Sequence, residues 1–292
     1  MKHTLYIQYI PPDKAKYAID APEYNAWQEA CEEYGVGFVK EEFESIVLKL
    51  HELDSQYTWF SGSIGLHKVA PFPNTLINYS LYSEIFIRKY IDRSLFLNDL
   101  QHFYVDKCKL SEVAKALKHY SDKLFARSTT ADKRIFGAVY TQDELMATLE
   151  QRLTHGSDLW LSVAAPKDIG RECRFILQMD AGLKVPFHRI VSGAEYITEE
   201  GKVVSSGEYC QHRLTSDDDA WYAANCMLSP GEPGVQQYLL HCKGKAGSPV
   251  VMDLVWDRSD KRYKILEFNP FWSSGIYGNS VHEIIKTIAN EQ

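Results

Sequence analysis

The chain has 292 residues and a mass near 33.5 kDa, with 45% hydrophobic and 24% charged residues, and 32 basic against 39 acidic side chains leave a net charge of −7. These values suit a globular protein of about two domains and exclude a disordered chain, a collagen-like fibre and a coiled coil. Net acidity argues against a nucleic-acid or anionic-membrane partner. No apolar run reaches the ~18 residues of a membrane span, and the start MKHTLYIQYIPPDKAK has no signal-peptide run, so a cytoplasmic location is expected.

In chain order, HTLYIQYI alternates as a strand and ends at Pro11-Pro12. Asp20 and Pro22 open a helix that Gly35 closes. A strand at Tyr57–Phe60 runs into Ser61-Gly62-Ser63-Ile64-Gly65, and a helix at Leu81–Tyr90 and a strand at Leu95–Asn98 follow. This alternation predicts an α/β unit. Leu110–Tyr120 reads as a helix and Leu124–Arg127 as a strand. Beyond the polar loop Ser128–Arg134, a strand is expected at Ile135–Tyr140. Thr141 and Glu144 form a capping box for a helix to about residue 153. Strands are expected at Leu159–Ala164, Arg174–Met179, Val185–Ile190 and Val203–Tyr209, with turns at Gly182 and Glu200-Gly201.

The acidic run Asp217-Asp218-Asp219 suits a helix N-terminus, where free N–H groups and the dipole favour carboxylates. A short helix follows Pro233, strands Val250–Trp256 and Tyr263–Phe268 flank a turn at 258–261, and Asn279–Ala289 is a closing helix.

Familiar catalytic signatures are absent. There is no GxxxxGK[ST] loop and no GxGxxG fingerprint, and the turn at 61–65 lacks the first glycine of a GxSxG elbow. The six cysteines, at 31, 108, 173, 210, 226 and 242, form no CxxC pair and read as reduced, mostly buried thiols. Cys210 and His212 read as neighbours on a strand face rather than a metal pair.

The C-terminal third carries the chemistry. Asp253 lies in the apolar strand VVMDLVW, and Glu267 and Asn269 lie two apart in ILEFNPF, hence on one face. Three oxygen-bearing side chains on paired strands need compensation, because an unpaired buried carboxylate costs several kcal/mol. A hard cation such as Mg²⁺ with phosphate meets that need; the alternative is pairing with arginines. Upstream, Arg127 and Lys133 flank a loop suited to covering a polyphosphate. Alternation places Glu172 and Arg174 on one face, either as site residues or as a surface salt bridge.

The ordered set FARSTTADKRIFG, LWLSVA, GRECRF, SSGEY, VVMDLVW and LEFNPFWSSGIYG resembles the ATP-grasp superfamily, and within it the phage and bacterial clade named for one arginine and two lysines. The resemblance covers roughly residues 95–290. It implies an α+β fold of two lobes enclosing ATP: a domain at 111–292, with a central lobe at about 111–165 and a C-terminal lobe at about 166–292. A smaller α/β pre-ATP-grasp domain at 1–110 precedes it.

The resemblance also implies roles. Arg127 stands where most relatives carry a phosphate-binding lysine, and Lys133 matches the lysine of the flexible loop over the phosphates. Ser162, Val163 and Ala164 match the adenine hinge, and Glu172 an acidic residue near the ribose. Asp253, Glu267 and Asn269 match the magnesium ligands, and Arg174 points at the transferred phosphate or an acyl-phosphate. Ser273, Ser274, Gly275 and Tyr277 lie where relatives receive the acceptor. The chain departs from the pattern in having no glycine in the phosphate loop until Gly137, and Lys167 and Lys202 are both candidates for the second lysine. The implied activity is ATP- and Mg²⁺-dependent, ADP-forming ligation of a carboxylate to an amine through an acyl-phosphate, on a small molecule, peptide or protein. The alternatives are an ATP-binding module without ligation, or kinase-like phosphotransfer. Trp221, Trp272 and Tyr277 are possible pocket walls, against the commoner fate of core packing.

Overall fold

The apolar alternation of the first strand places Leu5 and Ile7 at the centre of a three-stranded parallel sheet, where both are fully buried. In the computed structural model the described residues are 3–11, 21–54, 57–63, 66, 69, 101–128, 135–153, 158–180, 187–204, 211–229, 235–236, 239, 249–271 and 274–290. The expected helix at 81–90, the strand at 95–98, Lys133, Cys210, Trp272 and Ser273 lie outside them.

The N-terminal sheet has the order β2-β1-β3, from β1 (Thr4–Tyr9), β2 (Gly37–Glu42) and β3 (Thr58–Ser61). Helix α1 (Ala21–Glu33) links β1 to β2, and the chain turns at Gly35, whose φ of +70° suits a residue without a Cβ. The sequence reading passed over β2 and α2 (Phe43–Lys49). GFVKEE is an edge strand with a charged C-terminal half, and α2 buries only Ile46, so neither shows a strong apolar period.

The second sheet is antiparallel, with the order β4-β7-β5-β6. Its strands are β4 (Gln101–Val105), β5 (Lys123–Ser128), β6 (Ala138–Thr141) and β7 (Leu159–Ala164). Although β4 precedes residue 110, it pairs with β7. Helices α3 (Leu110–Leu117) and α4 (Gln142–Arg152) cover one face, burying Val113, Leu117, Leu145 and Leu149 against Leu124, Ala126, Leu161 and Val163. The capping box is present: the Thr141 hydroxyl accepts from the Glu144 amide, and the Glu144 carboxylate accepts from the Thr141 amide. Strand β6 begins at Ala138 rather than Ile135; Ile135 instead exchanges hydrogen bonds with Ser128 across the loop base.

The third sheet has the order β11-β10-β8-β9, from β8 (Ile169–Asp180), β9 (Phe187–Ile197), β10 (Val250–Asp257) and β11 (Arg262–Pro270). Val203 forms an isolated bridge to Ile197, and the rest of the expected strand, at 205–209, lies outside the described residues. Helix α5 (Asp219–Leu228) packs on one face with Phe175, Met252 and Ile265. Asp218 caps it by accepting from the Ala220 amide, as the acidic run predicts.

The opposite face is divided into zones. At one end Ile176 and Val251 join α1 and α6 (Val281–Ala289), so the closing helix packs on the N-terminal unit. At the other end Val255, Ile169 and Leu266 meet Phe125 and Ala164 of the second sheet. The charged residues lie between. A β-bulge makes this zoning possible: Asp253 pairs with Glu267 and Leu254 with Ile265, leaving Leu266 as an extra residue.

Candidate active site

Register brings the sequence-predicted residues into one row. Arg174 on β8, Asp253 on β10 and Glu267 on β11 are direct cross-strand partners. Arg174 Nε and Nη2 donate to Asp253 Oδ1 and Oδ2, both at 2.7 Å, a bidentate pair in which Asp253 is 0% exposed. Arg174 Nη1 donates to the Gly275 carbonyl at 2.7 Å, tying the row to the loop after β11. Asn269 Nδ2 donates to Asp253 Oδ2 at 3.0 Å and to Glu267 Oε1 at 2.8 Å. Both readings of this set therefore meet here: three oxygen-bearing side chains converge, and arginines neutralise the two carboxylates.

The second arginine comes from the other lobe. Arg127, near the end of β5, pairs with Glu267 across the cleft. Burial alone would raise the Glu267 carboxyl; the Arg127 guanidinium and the Asn269 amide outweigh it and hold it below the ordinary glutamate range. For Asp253, burial and the neighbouring Glu267 charge prevail over Arg174 and raise the carboxyl.

Glu172 and Arg174 share the cleft face as alternation predicts, but neither is a surface residue and they take different partners. Glu172 accepts from the Tyr196 hydroxyl. Burial pushes Glu172 up to about 7, with Asp253 and Glu267 adding to the rise and Tyr196 and Arg174 opposing it. Tyr196 was missed by the sequence reading; its only signal was alternation along GAEYI, two residues after Ala194, the β9 partner of Arg174. Its ring stacks on Tyr277 at 5.1 Å, and the Arg174 guanidinium carbon lies 4.8 Å from the Tyr277 ring centre. Tyr277 holds a φ of +47°, strained for a residue with a side chain. Ser274 N donates to the Phe271 carbonyl in the same loop.

Ser162 and Val163 lie inside the second sheet with registered partners on β4 and β5, while Ala164, among the described residues, pairs only with β5. Ala164 is also the one of the three that joins the apolar cluster between the lobes. Burial and Lys264 push the half-buried Lys167 ammonium down, whereas Lys202 is exposed in the turn after β9.

Other candidates fall outside the cleft. Trp221 packs edge-on against Phe175 in the core. His212 pairs with Glu195. Arg171 ties Glu195 to Asp218 and Asp219 at the start of α5. Cys31, Cys108, Cys173 and Cys226 are not in disulfides, and Cys108 is exposed.

No group of three or more His, Cys, Asp or Glu side chains forms a metal cluster among the described residues. The set here is two carboxylates and an amide, too few for an all-protein cage but matched to Mg²⁺, which completes its octahedron with water and substrate phosphate. The Asn269 amide already lies within hydrogen-bonding distance of both carboxylates, so one small cation between them would reach all three side chains. The residues fit the ion.

Two α+β lobes facing each other across an ion-paired cleft, behind a parallel N-terminal sheet, make this an ATP-grasp fold. The chain is similar in structure to D-alanyl-alanine synthetase A from Vibrio cholerae, with a TM-score of 0.55 and 12% identity over 99% of this chain and 98% of that one. It is also similar to N5-carboxyaminoimidazole synthetase from Staphylococcus aureus complexed with ADP, with a TM-score of 0.57 and 10% identity over 100% and 79% of the two chains. A third similar structure is the D-cycloserine synthetase DcsG, with a TM-score of 0.52 and 12% identity over 98% of both. At such identities the likeness is one of fold. No protein-family model and no curated protein sequence matches the chain.

Proposed function

We propose that the chain is an ATP- and Mg²⁺-dependent, ADP-forming ligase that joins a carboxylate to an amine, with a small molecule or peptide as substrate. The observation that carries this reading is the meeting of Arg127 from one lobe with Glu267 from the other, beside Asp253 and Asn269. Cations and hard oxygen donors converge there between the lobes, next to the apolar cluster of Phe125, Ala164, Ile169, Val255 and Leu266. The named synthetase neighbours, one of them complexed with ADP, agree with it. No helix among the described residues is long and apolar enough to cross a membrane, and the reading includes a cytoplasmic location. It also keeps an N-terminal domain, ended before β4 rather than at residue 110 because that strand belongs to the second sheet, and a place in the arginine and two-lysine clade.

In this reading adenine lies against Phe125, Ala164, Ile169, Val255 and Leu266, with the backbone from Ala164 onward meeting its edge. Glu172 lies on the cleft face between that apolar end and Arg174, the position of the ribose. Asp253, Glu267 and Asn269 would hold Mg²⁺, which supplies charge neutralisation at the phosphates. Arg127, Arg174 and, from the 129–134 segment, Lys133 orient and neutralise the transferred phosphoryl group. A substrate carboxylate takes the γ-phosphoryl, giving an acyl-phosphate and ADP. The amine then attacks the acyl carbon, phosphate leaves, and the amine loses a proton. Ser273, Ser274, Gly275 and Tyr277 present the acceptor. No side-chain nucleophile is required.

The test is thermal stability with ATP plus Mg²⁺, ATP alone and neither, for wild type and Glu267→Gln, followed by a mass screen for condensed products. A ligand at about 100 times its dissociation constant stabilises by roughly 2.7 kcal/mol. A Mg²⁺-dependent shift lost in Glu267→Gln is expected; no shift in wild type refutes the site.

A further inference from the structure

The two arginines of the cleft are not equivalent. The Arg174–Asp253 pair lies within one sheet and is nearly closed to solvent, with side-chain exposures of 8% and 0%. Arg174 is fixed by three hydrogen bonds and two aromatic rings. The Arg127–Glu267 pair instead bridges two lobes, is 29% and 19% exposed, and ends at the loop base beside the 129–134 segment. Two guanidinium groups against two carboxylates leave the row formally neutral, with Arg127 holding one oxygen of the Glu267 carboxylate and Asn269 the other.

From this geometry we infer that Arg127 is a stand-in cation: without nucleotide it occupies Glu267 in place of a divalent ion, and nucleotide phosphates draw it off. This rests on the metal assignment above and adds an order of binding to it. A unit positive charge in contact with Glu267 opposes a second cation by more than a factor of ten, even with surface screening. A free divalent ion brings the Arg127 guanidinium no anion in exchange for Glu267. A nucleotide does, since its phosphates accept the same guanidinium fork. Metal and nucleotide then bind with positive coupling, and the bridge between the lobes opens only when phosphate arrives.

The test is Mn²⁺ uptake, measured by water-proton relaxation, for wild type, Arg127→Gln, Arg127→Lys and Arg127→Gln/Glu267→Gln without nucleotide, and for wild type with ATP. Expected are weak uptake by wild type alone and at least about tenfold tighter uptake by Arg127→Gln. Arg127→Lys, which keeps the charge, gains far less, and the double variant loses the gain. A folded Arg127→Gln with wild-type affinity, or a gain that survives Glu267→Gln, overturns the inference. Arg127→Met, which keeps the alkyl stem, replaces the glutamine variant if that does not fold. Wild type that takes up no Mn²⁺ even with ATP refutes the metal site itself; uptake with ATP but no gain in Arg127→Gln refutes only the role of Arg127.

Discussion

Replacing Arg174 by Met keeps the length of the side chain and removes the charge opposite Asp253. The aspartate is fully buried and would keep, among the hydrogen bonds described, that from Asn269. Removing one partner of a buried ion pair typically costs about 3–5 kcal/mol, because the remaining charge loses its compensation. At roughly 2 °C per kcal/mol for a chain of this size, the midpoint should fall by about 6–10 °C. Intrinsic fluorescence of the six tryptophans, Trp221 and Trp256 among them beside the core of the C-terminal sheet, follows unfolding without nucleotide or metal. The double variant Arg174→Met/Asp253→Asn removes both charges and should recover most of the loss, a positive coupling in the mutant cycle. A folded Arg174→Met within about 2 °C of wild type would show that Asp253 is neutral or hydrated in the free protein, and the reasoning would fail.

Two further outcomes follow from packing and burial. Glu172, whose carboxyl is pushed up to about 7, binds its proton more tightly in the folded than in the unfolded chain. Its contribution is therefore fully present below about pH 4.5 and lost as pH rises to about 7, at ~1.4 kcal/mol per pH unit, on the order of 3 kcal/mol in all. Denaturant titrations of Glu172→Gln should show this slope flattened; an unchanged slope assigns it to other groups. At Gly193 a Cβ would lie 2.7 Å from Phe175 Cε1 and 3.1 Å from Trp221 Cε3. Gly193→Ala should cost about 1–3 kcal/mol by overpacking, and a neutral result would mean the Phe175 ring moves freely.

The strands that carry Asp253, Glu267 and Asn269 were legible because each is an apolar run interrupted by one or two oxygen-bearing residues, and pairing across a short turn is the default for such neighbours. The capping box at Thr141 and the N-cap at Asp218 were legible for the same local reason. What escaped was non-local or weakly patterned. Arg127 and Glu267 are 140 residues apart, and nothing in either segment names the other. Arg174 also holds the aspartate directly across the sheet, a partner that only the register of β8 and β10 reveals. Strand β2 sits at a sheet edge and buries little, so its alternation is weak.

The bulge at Leu266 has a metric consequence. Along a regular strand, side chains on one face recur about every 6.6 Å, two residues apart. The extra residue lets consecutive side chains, Leu266 and Glu267, both face the cleft, one on the apolar cluster and the other on Arg127. The boundary between the oily and ionic halves of the cleft is thereby compressed to the rise of a single residue. An elongated ligand with an apolar head and a charged tail meets both surfaces without a polar gap, and the spacing belongs to the backbone rather than to any one rotamer.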